Sequence, residues 1–223
     1  LILQAVHLFF VQLLLFFRRE IMSRLSLSVV AAALLFVPAS VQAQVEKYSF
    51  DKAHTQILFF VNHLGFSNSQ GEFHDYDGSF TFDQTHPENS SVDVTIQSAS
   101  IDMDDEKWDE HLKTADFFAV EKFPTMHFKS TDIEITGDNS ANITGDLTLL
   151  GVTHPVTLAV VHNKSDKHPF SGKYVSGFSG SAILKRSDFG MNYGIPGVAD
   201  EVQIRLEVEG IREEQEGEGT NNP

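Results

Sequence analysis

Ten histidines are the residues of this chain best suited to move a proton or hold a metal, and their settings differ. His63 follows Ile57, Phe59 and Val61 at two-residue spacing, so on an extended strand the four side chains share one face. Asp109 stands two residues before His111, and His74 stands beside Asp75; a carboxylate near an imidazole is the minimum for general acid–base work. Such neighbours also arise by chance in a histidine-rich chain, and neither pair sits in a nucleophile motif. Gly-x-Ser-x-Gly, cysteine and a Gly-x-x-x-x-Gly-Lys loop are all absent. No His-Glu-x-x-His occurs either, and the acidic run Asp102-Met103-Asp104-Asp105-Glu106 has Lys107 where a calcium loop requires glycine. Negative charge at a helix N-terminus is its better reading. His63, His111 and His127 are the histidines to examine as metal ligands. The expectation is a protein without catalytic residues, resident metal or cofactor.

The elements that would position these groups are strands. Fourteen of the nineteen phenylalanines follow residue 43, and many recur at every second position. Val92, Val94 and Ile96 alternate with polar residues, as do Met126 and Phe128, then Ile143, Leu147 and Leu149, then Val156, Leu158 and Val160. Val202, Ile204, Leu206 and Val208 alternate most cleanly, set against Glu201, Gln203, Arg205, Glu207 and Glu209. Such alternation implies antiparallel strands with one solvated face. A run from Phe73 to Phe82 is expected to carry Gly78, Phe80 and Phe82 on one parity. Turns are expected at Gly65 to Gly71, Gln84 to Ser90, Gly137-Asp138-Asn139 and His168 to Gly172. Eight or nine strands in an up-and-down course result. Two flat sheets would need only Val, Ile and Leu inside, so the excess of rings points to an all-β barrel, filled by them or lined around something oily.

Asp102 to Phe123 breaks the strand rhythm. Asp104 or Asp105 can N-cap a short helix with Glu106 in its first turn and Trp108 and Leu112 four apart on one face. Phe117 and Phe118 follow, and this insert could close a barrel mouth. His63 on an inward face must hydrogen-bond, to a carbonyl or Tyr of the protein or to the polar head of an oily ligand. Arg186 with Asp188 poses the same choice, a surface ion pair or a polar collar at the rim.

Residues 22–43 read as a signal peptide, with Arg24, an apolar Leu25–Val37 stretch and Val41-Gln42-Ala43 as cleavage site. That apolar stretch is short of the roughly 20 residues a span needs, so no stable membrane anchor is expected after cleavage. Residues 1–21 read as an extension from a start assigned too early, since Met22 stands where a signal should begin. Residues 44–212 form the domain, and residues 213–223, acidic and Gly-rich, form a disordered tail. A formal charge of −15 repels phosphate backbones, which argues against nucleic acid as partner. Without cysteine there is no disulfide, which suits a periplasmic domain held by its core.

Several blocks in fixed order carry a family resemblance: His63-Leu64-Gly65-Phe66 with Gly71-Glu72-Phe73; Asp109-Glu110-His111-Leu112-Lys113 with Asp116-Phe117-Phe118; Lys122-Phe123-Pro124; Gly145 to Val156; and Arg186-Ser187-Asp188-Phe189-Gly190. From Tyr48 to Ile211 the chain resembles the YceI-like, or polyisoprenoid-binding, family. The resemblance implies an extended lipocalin-like antiparallel barrel, exported to the periplasm, with a hydrophobic cavity for a polyprenyl chain or similar amphiphile. Trp108 stands where an arginine commonly precedes the Asp-Glu-His-Leu run, and His154 where lysine is common, so no headgroup contact by that arginine carries over. The leading reading is a carrier that sequesters a polyisoprenoid or related lipid, a quinone among them. Its ligand-binding set is expected to be Ile57, Phe59, Val61, His63, Phe73, Phe80, Phe82, Leu112, Phe117, Phe118, Phe128, Leu147, Leu149, Phe178, Arg186 and Phe189. The alternatives are an enzyme using His63, His111 or Asp109 on a cavity-bound lipid, and a module that binds another envelope protein. The sequence leaves a homodimer open.

Overall fold

A computed structural model describes residues 45–214. The expected extension at 1–21, the signal peptide at 22–43 and the tail beyond Glu214 lie outside the described residues. Eleven strands form one antiparallel sheet: β1 (Glu46–Phe50), β2 (Gln56–His63), β3 (Ser67–Phe73), β4 (Tyr76–Phe82), β5 (Ser91–Gln97), β6 (Ile101–Asp102), β7 (Thr125–Gly137), β8 (Ser140–Leu149), β9 (Val152–Lys167), β10 (Tyr174–Lys185) and β11 (Val198–Arg212). One helix, α1 (Glu106–Lys113), lies between β6 and β7.

The first six strands are halves of three interrupted ones. β11 pairs along one edge with β10 and along the other with β1, through Phe50↔Gly210, and then β2, through Leu206↔Ile57. β4 continues β3 after the His74-Asp75 break, and β6 continues β5 after a 3-10 turn at Ser98–Ser100. Counted this way, eight strands in sequence order close into an up-and-down barrel, because β1 pairs with both β4 and β11. At the β1–β2 break Thr55 stands in for a lost ladder position: its hydroxyl bonds the carbonyl and the N–H of Glu209, each at 3.1 Å. The buried Tyr76 hydroxyl donates to the Thr55 carbonyl at 3.1 Å. The backbone of the interruption is thereby satisfied inside the fold.

Two sequence expectations need correction. The segment Gly65 to Gly71 is not a turn. Only Leu64 to Phe66 turns, with Leu64 at φ 54° and Gly65 at φ 76°, and Ser67–Phe73 pairs with β2 throughout. Its polar Ser-Asn-Ser-Gln sequence lacks alternation because the ladder to β2, not side-chain burial, holds it. The run Phe73 to Phe82 is not one strand either, since it breaks at His74. β1 and β10 carried weaker signals, with small or polar residues at many positions of β10, and were not among the runs that alternation picks out.

Inward glycines set where the rings lie. A Cβ at Gly71 would overlap the Phe59 ring and Met103 Sδ, one at Gly145 the Phe128 ring, and one at Gly210 the Phe80 ring. Each phenylalanine ring therefore occupies the space over a neighbouring glycine of the wall, where a larger residue would leave it no room. A β-bulge between Ser130 and Asp132 changes parity along β7, so Met126 and Phe128 face inward before it and Ile133 and Ile135 after it. Gly145 offers the sharpest check, because its Cβ would also lie 2.6 Å from the Lys129 carbonyl oxygen, which cannot swing away. Gly145→Ala is expected to destabilise the fold by about 1–3 kcal/mol, read as a lower urea midpoint at unchanged slope.

Candidate functional site

The inward side chains enclose a cavity of about 500 Å³, within the size range of small-molecule sites. Its wall is built by alternation: Ile57, Phe59 and Val61 from β2, Val92, Val94 and Ile96 from β5, Met126 and Phe128 from β7, Leu147 and Leu149 from β8, and Val202 to Val208 at even positions of β11. A second chamber of about 240 Å³ lies towards the β7–β8 turn and is lined by Phe80, Phe82, Ile133, Ile135, His162 and Phe178 among others. The two share Phe50, Val92, Leu158, Leu206 and Val208 in their walls, so they meet in mid-barrel. Phe50 stands at that junction, edge-on to Tyr76 at 6.0 Å and tilted against Phe80 at 5.8 Å.

Between β6 and β7 the chain builds a cover instead of a ladder. Asp105 caps α1, its Oδ1 accepting the N–H of Lys107 at 3.0 Å and of Trp108 at 3.1 Å. Acidic Glu106 and Asp109 in the first turn favour the positive end of the helix. Asp109 Oδ1 accepts the Met103 N–H at 2.8 Å and ties the approach to the helix. Trp108, His111 and Leu112 then face the cavity, joined by Phe117, Phe118 and, from the β10–β11 connection, Met191 and Tyr193.

Of the residues expected to bind ligand, Ile57, Phe59, Val61, His63, Phe73, Leu112, Phe117, Phe118, Phe128, Leu147, Leu149 and Arg186 line the main cavity. Phe80, Phe82 and Phe178 line the second chamber instead. Phe189 lines neither. It is buried in the core cluster, with its ring edge-on to His154 at 5.4 Å. Sequence reasoning missed Phe50, Tyr76, Met103, Met191 and Tyr193. Alternation of Tyr48 and Phe50 with Lys47 and Ser49 was a usable signal for the first of these, and the parity that Tyr76 shares with Phe80 and Phe82 for the second; Met103, Met191 and Tyr193 sit in connections, where periodicity is silent.

The polar expectations fare differently. His63 has no side-chain hydrogen bond among the described residues; its ring lies half-buried, 6.3 Å from the Trp108 ring. Asp109 and His111 do not pair, since Asp109 holds the Met103 N–H and His111 lies 3.7 Å from Asp116. His74 turns from Asp75 to Asp102, at 3.0 Å. His127 bonds Asp93 at 2.8 Å and belongs to neither cavity lining. The three histidines named as metal candidates therefore do not converge. Asp51, His54 and Glu209 do approach one another, at the β1–β2 break, where the Asp51–His54 hydrogen bond of 3.0 Å explains them as an ion pair.

Arg186 is neither a surface ion pair nor a partner of the exposed Asp188. Only 3% exposed, its guanidinium donates to three carbonyls, Ala199 at 2.9 Å, Met191 at 3.1 Å and Val198 at 2.9 Å. Burial lowers its pKa, and Asp200 nearby opposes that shift. The planar fork suits this task, because one side chain fastens the connection 191–199 to the end of β10.

The YceI-like domain model matches residues 48–210. This chain belongs to the YceI-like family. A UPF0312 protein of Pseudomonas aeruginosa is 45% identical over 174 residues, covering 77% of this chain and 90% of that one. The Campylobacter jejuni YCEI protein superposes with a TM-score of 0.62 at 35% identity, over 75% of this chain and 98% of that one. A polyisoprenoid binding domain from Saccharophagus degradans shares the fold, with a TM-score of 0.57 at 10% identity, over 76% of this chain and all of that one.

His162 gives this YceI-like barrel a titration of its own. It lies against Phe82 at 5.0 Å and Phe178 at 5.2 Å, and burial lowers its pKa below the ordinary value. Because the unfolded chain then binds the proton more readily, stability should fall as pH drops through about 6.5 towards the folded value. The exposed His54 is shifted up by Asp51 and acts in the opposite sense. The expected result is a melting temperature that falls between pH 7.5 and 5.5 more steeply in the parent than in His162→Gln.

Proposed function

We propose that this protein is a periplasmic carrier that sequesters a polyisoprenoid or related amphiphile, a quinone among them, with its tail in the barrel cavity. The observation that carries the reading is the enclosed, almost wholly apolar wall, on which only His63, Ser69, Thr55, His111, Arg186 and the aromatic Tyr and Trp groups offer polarity. Each methylene removed from water contributes about 0.8 kcal/mol, so a long tail gains more here than any one polar contact could add. The polyisoprenoid binding domain of Saccharophagus degradans, which has the same fold, supports the reading. Export fits the reading at residues 22–43, and a cleaved signal would leave the barrel free of that segment.

Native mass spectrometry of the protein purified from its own host is expected to show a co-purifying apolar ligand. Repeated recovery of an empty barrel that also refuses prenyl lipids would end the proposal. Phe59→Asp places a charge in the main cavity, where an unpaired carboxylate is costly. It should abolish prenyl-lipid uptake, with circular dichroism checking that the barrel still folds.

A further inference from the structure

The exposed apolar residues of this barrel are gathered unevenly. At the end covered by α1, Leu64, Phe66, Trp108, Tyr193 and Ile195 are 57%, 88%, 47%, 49% and 37% exposed. They come from three segments that touch. Leu64 donates its N–H to the Gly197 carbonyl at 2.7 Å, the Trp108 ring lies 6.3 Å from His63, and Tyr193 packs edge-on to His111 at 5.5 Å. A contiguous exposed apolar patch on a soluble domain marks a contact surface.

Three further facts say what it contacts. Trp108 and Tyr193 are half-exposed and also line the main cavity, so the patch is continuous with the cavity wall. Its composition, Trp and Tyr with Leu, Phe and Ile, suits the level of lipid headgroups, where rings have one wet and one apolar side. The Leu64-Gly65 turn has φ above zero at both central positions, a geometry that favours Asn-Gly, and yet it carries a leucine with Phe66 beside it. The opposite end is ringed by Gln84, Asp138, Asn139 and Ser140, and its exposed apolar side chains, Ile135 at 45%, Val161 at 41% and Phe170 at 94%, include neither Trp nor Tyr.

Resting on the carrier reading above, we infer that the α1 end is a bilayer-docking face through which ligand passes between membrane and cavity. A tail too insoluble to cross water leaves the bilayer only where the apolar wall meets it, and this patch makes that path continuous. The charge of −15 fixes the surface preferred: zwitterionic rather than anionic.

Trp108 is the sole tryptophan of the chain and therefore reports on the face itself. The test uses protein purified from its host and phosphatidylcholine vesicles with brominated acyl chains. Docking is expected to quench and blue-shift Trp108, reversibly on removing the vesicles by centrifugation; quenching that survives removal, with none that reverses, means bromolipid taken into the cavity without docking and overturns the inference. The double variant Phe66→Ser with Ile195→Ser should partition at least tenfold more weakly, while Phe170→Ser should match the parent. Equal quenching in all three would show that Phe66 and Ile195 take no part in the contact and overturn it, as would sedimentation equilibrium showing a homodimer that the double variant dissociates. Loading of prenyl lipid from detergent, read by mass spectrometry, separates the two readings. Loading without vesicle quenching removes the docking face and leaves the carrier standing; quenching in a barrel that never loads supports the face and removes the carrier.

Discussion

Everything in this barrel depends on where its aromatic rings are allowed to rest. Phenylalanine inside a narrow barrel ordinarily fills it, since protein interiors pack as densely as organic crystals. Here Gly71, Gly145 and Gly210 leave vacant the wall positions that the rings of Phe59, Phe128 and Phe80 cover. The rings are buried and contribute their dispersion and transfer energy while lying along the wall, and the volume across the barrel stays open. An apolar lumen of this kind costs contacts that a filled core would have made, so a protein keeps it only where something else makes those contacts part of the time. The glycines weaken their strands by themselves, and the covering rings return packing to the same positions.

The interruptions serve the same end. Three of the eight strands are broken in the same part of the chain, and each break is sealed by a specific group: Thr55 with Glu209, Tyr76 with Thr55, and Ser100, whose hydroxyl donates to the Asp75 and Gln97 carbonyls. Where β6 stops after two residues, the sheet cannot close by ladder bonds, and α1 with Phe117 and Phe118 takes over the wall. A helical cover changes the chemistry of that end. It brings Trp108 and His111 to the rim and leaves the closing work to side-chain packing, which opens at lower cost than a run of ladder hydrogen bonds.

How much of this the sequence disclosed follows from what periodicity can express. The all-β barrel, the short helix and the inward parities of β2, β5, β8, β9 and β11 were legible, because each is a repeat of two or of roughly 3.6 positions, while the cap stayed open between Asp104 and Asp105. The Phe73–Phe82 run misled because only a shift of parity, from Phe73 to Tyr76, Phe80 and Phe82, marks the break at His74 and Asp75. Ser67–Phe73 was invisible as a strand because its pairing with β2 is written in backbone bonds rather than in side-chain polarity. Phe189 looked like a cavity residue from its place beside Arg186, but that motif serves burial: Arg186 spends its donors on the carbonyls of Met191, Val198 and Ala199. No feature of a linear sequence separates a ring that lines a void from one that packs behind its wall.

The division of labour between the two ends decides how such a site can be both tight and exchangeable. A tail held only by apolar wall has affinity that grows with its length, and its escape rate falls accordingly, so a closed barrel would release ligand slowly into water. At the α1 end the wall is made of pieces, a helix, a tight turn and the connection held by Arg186, joined by aromatic contacts such as His63–Trp108 and Tyr193–Phe117 at 5.2 Å. At the other end β7 and β8 stay paired up to their turn, Ile135 with Ala141 and, after a register shift, Gly137 with Ser140. The end that can yield locally is thus the end that carries the exposed rings of Phe66, Trp108 and Tyr193, and the anchor of the β10–β11 connection is a buried cation satisfied by carbonyls alone. Movement of the cover would leave that anchor intact, because none of the three acceptors lies on α1 or in the segment that follows it.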